Sequence, residues 1–84
     1  MITVKLIPTR HILIRKGDIY DINDDKWYQI IAQYNIGNNR IYRAESAQFY
    51  GDVPSDEAFK SIEHHIKCSH PELKFSFDRQ LEFK

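Results

Sequence analysis

The sequence predicts an α+β fold: a small, mainly antiparallel β-sheet of about four to five strands, one α-helix (residues 55–67) packed on it, and a C-terminal strand. Three observations carry that expectation. Apolar and polar side chains alternate through much of the chain, the period of a half-buried strand. The apolar set has shapes that suit a pleated surface, with 12 isoleucines against 4 leucines, joined by 5 Tyr and 5 Phe. After Pro54 the spacing changes to that of a helix, behind a serine suited to cap it.

The first strand is read from Ile2, Val4 and Leu6, with Thr3 and Lys5 between them. Pro8 is expected to end it or to hold it at a sheet edge, because proline has no amide hydrogen for the ladder. His11 to Arg15 forms a short apolar run, turned by Lys16-Gly17-Asp18, and alternation resumes over residues 18–22, so a hairpin through Gly17 is expected. Asn23-Asp24-Asp25 reads as a turn or a helix start.

Residues 26–36 admit two readings. Trp27, Ile30, Ile31 and Tyr34 fall at helical spacing. As a strand, the segment puts Tyr28, Ile30, Ala32, Tyr34 and Ile36 on one face and Gln29, Gln33 and Asn35 on the other. The longer match, together with the turn signal Gly37-Asn38-Asn39, favours a hairpin into Arg40-Ile41-Tyr42-Arg43. Gly51-Asp52-Val53-Pro54 interrupts the pattern. Ser55 then caps a helix with Asp56 and Glu57 in its first turn, an apolar stripe of Phe59, Ile62 and Ile66, and a stop at Pro71. Leu73, Phe75, Phe77, Leu81 and Phe83 alternate with polar residues, so the chain ends in a half-buried strand, bent near Arg79.

Eighty-four residues leave room for one core, so 1–84 is expected to form a single compact domain. Twelve basic and twelve acidic side chains cancel, which argues against a dedicated polyanion binder. Cys68 is the only cysteine, so no intrachain disulfide can form. With no long apolar run, the composition points to a cytoplasmic protein and away from a membrane.

No phosphate-binding glycine loop, zinc-protease helix or nucleophile elbow occurs, so no catalytic residue and no cofactor are expected. The densest cluster of chemistry-bearing residues is Glu63-His64-His65-Ile66-Lys67-Cys68-Ser69-His70. His64 and Cys68 share a helix face and His70 follows, but a closed zinc site needs four ligands. His11 and Glu63 have no diagnostic spacing to complete one, so no metal site is expected. Cys68 lacks the third partner of a nucleophilic triad. The aspartates at 18, 21, 24 and 25 are assigned to turn chemistry.

Two functions remain. Arg10, Arg15, Lys16 and Lys26, with Arg40 and Arg43 near Trp27, Tyr28 and Tyr42, combine cations and aromatics as single-stranded nucleic-acid binders do. The same Arg40, Tyr42, Arg43, Trp27 and Tyr28 also suit a protein interface, where Tyr, Trp and Arg carry most of the binding energy. Balanced charge ranks the larger protein partner first and nucleic acid second. In type, a stand-alone, isoleucine-rich, motif-free domain resembles the small inhibitors of phages and mobile elements, such as anti-CRISPR and immunity or antitoxin proteins. That resemblance covers size and composition and transfers no site. It implies a non-enzymatic module that occludes a surface of its partner.

Overall fold

A computed structural model describes residues 1–10, 26–37 and 39–83; the expected hairpin through Gly17, the turn at 23–25 and the cations Arg15 and Lys16 lie outside them. Among the described residues, five strands and one helix follow in the order β1 (Ile2–Arg10), β2 (Trp27–Asn35), β3 (Ile41–Glu45), β4 (Phe49–Tyr50), α1 (Asp56–Ser69) and β5 (Phe75–Arg79). They form one sheet in the order β3-β2-β1-β5, with β4 also on β2, and every pairing is antiparallel except β1 with β5. The fold is α+β.

Residues 26–36 resolve as a strand. Tyr28, Ile30, Ala32 and Tyr34 are all buried on one face, and Gly37 and Asn39 take positive φ values of 92° and 61° in the turn to β3. Asn39 and a glycine suit that turn because an ordinary side chain resists left-handed backbone. Inward from β1 come Val4, Leu6 and Pro8, and α1 lays Ala58, Phe59, Ile62 and Ile66 over them. Ser55 caps the helix as expected, its Oγ accepting the Ala58 N–H at 3.2 Å. The helix runs two residues past the expected end and stops before Pro71.

Pro8 does not end β1, and the hydrogen bonding explains why. Ile30, its partner across β2, turns both backbone groups the other way: its carbonyl accepts from Ser46 N–H at 2.9 Å and its N–H donates to Ser46 Oγ at 2.8 Å. The Pro8–Ile30 pair therefore carries no ladder bond, and the proline nitrogen faces β5 instead. There Ile2 N–H donates to the Lys74 carbonyl and Gln80 N–H to the Leu6 carbonyl. The next bond in that series would need an amide hydrogen on residue 8. Proline has none, and β5 ends at Arg79. The proline thus terminates its neighbour rather than its own strand.

Ser46 marks a second departure from regular pairing. Residues 41–45 and 49–50 lie along the same edge of β2, with the register advanced by one residue between them. That extra residue is a β-bulge. Among the described residues Ser46 is the one buried polar residue, and its hydroxyl replaces the missing carbonyl for Ile30 while donating to the Ala47 carbonyl at 2.7 Å.

Candidate protein-binding face

A strand sends successive side chains to opposite faces. Here α1 covers the even-numbered side of β1 and β2, and no element among the described residues lies over the odd-numbered side. Across that open face the register sets one row of Asp78, Lys5, Gln33 and Arg43 and beside it Ile7, Ile31 and Glu45. Cations and carboxylates alternate within it: Lys5 lies opposite Asp78, and Arg43 forms an ion pair with Glu45. A groove of about 730 Å³ runs between Thr3, Lys5, Ile7 and Thr9 of β1 and Ile31 and Gln33 of β2.

Apolar groups interrupt this polar face. Ile7 and Ile31 are directly paired and half-buried, while Ile41 is 72% exposed. At the far end Trp27 and Tyr50 pair across the strands, with ring centroids 5.2 Å apart in an edge-to-face arrangement. They are 39% and 56% exposed. A tryptophan and a tyrosine left at a surface in this way combine large area with a polar handle.

The five residues that sequence reasoning nominated do not form one patch. Trp27 and Arg43 are on the open face, six positions of β2 apart by register. Arg40 is exposed ahead of β3. Tyr42 lies on the helix side, half-buried, stacked on Tyr34 at 5.5 Å and edge-on to His70 at 5.0 Å. Tyr28 requires correction. It is 1% exposed, its hydroxyl accepts the Ser55 N–H at 3.0 Å, and its ring packs on Phe49 and Phe83. It belongs to the core because its phase in β2 is that of Ile30 and Ala32.

Sequence reasoning missed Ile7, Ile31, Ile41 and Tyr50. A signal for them was present: each is an apolar or aromatic side chain in the polar phase of its strand. Ile7 is out of step with Val4 and Leu6, Ile31 with Ile30 and Ala32, and Ile41 with Tyr42 and Ala44.

Most cations among the described residues are engaged within the fold. Arg10 donates to the carbonyls of Gly51 and Asp52 and covers the Phe83 ring at 3.8 Å. Lys26 pairs with Asp52 at 3.3 Å. Arg79 grips both oxygens of Glu63, at 2.7 and 3.1 Å, and reaches Asp56 at 2.6 Å, tying β5 to α1. These contacts hold the Asp56 carboxyl below its usual range, Arg79 contributing most and Lys60 next.

The residues of the 63–70 cluster separate. His64 and Cys68 touch on the exposed side of α1, with Nε2 and Sγ 3.4 Å apart. His70 turns inward, its Nε2 3.1 Å from the Tyr34 hydroxyl. Among the described residues no three His, Cys, Asp or Glu side chains converge on a metal position, and no helix is long and apolar enough to cross a membrane. Compared with known protein families, curated proteins and solved structures, the chain matches none.

Proposed function

We propose that this chain is a non-enzymatic binding module that occludes a surface of a larger protein through the open face of its sheet. The observation that carries this reading is the set of apolar side chains in the polar phase of three strands, Ile7, Trp27, Ile31 and Ile41, with Tyr50 beside Trp27. Grouped on one face, they supply the apolar and aromatic area in which protein interfaces are enriched, with charged pairs farther along the same face. The alternation of Lys5 with Asp78 and Arg43 with Glu45 speaks against phosphate recognition, which favours an unbroken basic strip. The exposed thiol of Cys68 fits a reducing cytoplasm.

The test is capture of tagged protein from its native cell after nuclease treatment, comparing wild type with Trp27→Ala and Ile31→Lys. Both variants should keep the wild-type melting temperature to within a few degrees. Each should lose the captured partner, at a cost of about 2 kcal/mol or more per anchor. His64→Ala, on the far side of the molecule, should capture normally. Capture indifferent to both face variants would refute the reading. So would binding to RNA that weakens steeply with salt, its salt slope reduced by about one in Arg40→Ala and in Arg43→Ala, with no nuclease-resistant protein partner.

A further inference from the structure

β3 is an outer strand of the sheet, and among the described residues no element lies along its free side. The pairing on its other side fixes which backbone groups point there. Ile30 turns its amide and carbonyl toward Ser46, so Ala32 and Tyr34, two and four positions on, turn theirs toward their partners Ala44 and Tyr42. Ile41, Arg43 and Glu45 therefore turn N–H and C=O outward, and their side chains are exposed. Because β4 continues along the same edge of β2, this border runs from Ile41 to Tyr50, longer than the five residues of β5. Exposed borders are often blunted by charged side chains, lysine above all. This one instead carries both signs two positions apart, in the ion pair of Arg43 with Glu45.

We propose that the chain forms a two-fold dimer by pairing β3 with β3 of a second copy, because this edge complements itself. In an antiparallel pair with its axis at Ala44, Arg43 of each copy is opposite Glu45 of the other. Each charge then has an opposite neighbour along its own strand and another across the junction. Backbone donors stay matched when the register slides by two residues, but that step sets Arg43 against Arg43 or Glu45 against Glu45. Charge therefore selects one register. Ala44 falls at the axis, where the two Cα atoms come closest, and has only a methyl to place there. The two sheets join into one, with both α1 helices on one side and both open faces on the other. Each β3 edge is used up in the junction, so only β5 borders remain. The proposal concerns the edge of the sheet and does not rest on what its open face binds.

The experiment is analytical ultracentrifugation of the full chain at concentrations up to about 1 mM. Wild type should pass from monomer to dimer as concentration rises. Arg43→Glu and Glu45→Arg each set like charges opposite one another at two places, since the axis repeats every pair. Each should raise the dissociation constant roughly tenfold or more. Mixed in equal amounts, the two variants should form a heterodimer, because position 43 of one again meets its opposite at position 45 of the other. That rescue also shows that both variants fold. The double variant should self-associate as wild type does, and His64→Ala, on the helix, should dimerise normally. A wild type that stays monomeric over this range would overturn the inference. So would reversals that leave the dissociation constant unchanged, or an equimolar mixture that does not associate.

Discussion

Tyr34 sits at the junction of β2, β3 and the end of α1, with its hydroxyl on His70 and its ring edge-on to Phe75. Burial pushes this hydroxyl above the ordinary phenol range, and Tyr42 beside it pushes in the same direction. A folded-state value raised above the unfolded one stabilises the fold below the unfolded pKa, about 10 for tyrosine, and that contribution is lost as pH rises through the folded value. Urea midpoints should therefore fall above about pH 10, and less steeply in Tyr34→Phe. A second residue, Ser46, stands in for backbone. Ser46→Ala would strand the buried Ile30 N–H, and equilibrium unfolding should show a loss of about 1–3 kcal/mol. Neither role was legible in the sequence. Only the register of β4 against β2 reveals the extra residue beside Ser46.

At the scale of elements, periodicity was enough to say which side chains face the core. The α1 stripe of Phe59, Ile62 and Ile66 is buried as its spacing requires, and β2 shows the alternation that distinguished it from a helix. Phe59, 2% exposed beneath the Arg79 guanidinium, is the side chain whose removal tests this packing. Phe59→Ala should cost about 3–5 kcal/mol, close to the whole stability of a small domain. A thermal melt within a degree or two of wild type would place that ring outside the core. The side-chain pattern does not say, however, which neighbour a backbone donor faces. Pro8 was expected to end β1 or to hold it at a sheet edge, because proline has no amide hydrogen for the ladder. Pairing β2 on one side and β5 on the other resolves it.

For the molecule as a whole, the sequence conveyed the fold class and the two-faced pattern of β2, but not which sheet face is exposed. Tyr28 and Trp27 are adjacent in the chain yet end on opposite sides of the sheet, one in the core and one facing out. The core of the fold is also built from hydrophobic side chains. It closes through Phe59, Ile62 and Ile66, and the His64–Cys68 contact is at the surface. A strong chelator should accordingly leave the melting temperature unchanged; a fall of several degrees would show that a metal supports the structure. Pro8 has one more effect, on behaviour in concentrated solution. By withholding a hydrogen from Gln80 it keeps β5 to five residues, of which Phe75, Phe77 and Arg79 turn their amides outward. A sheet grows from chain to chain by copying its outermost strand, and a long flat border is an invitation to fibrils. One pyrrolidine ring, placed on the strand behind, keeps that border too short to copy.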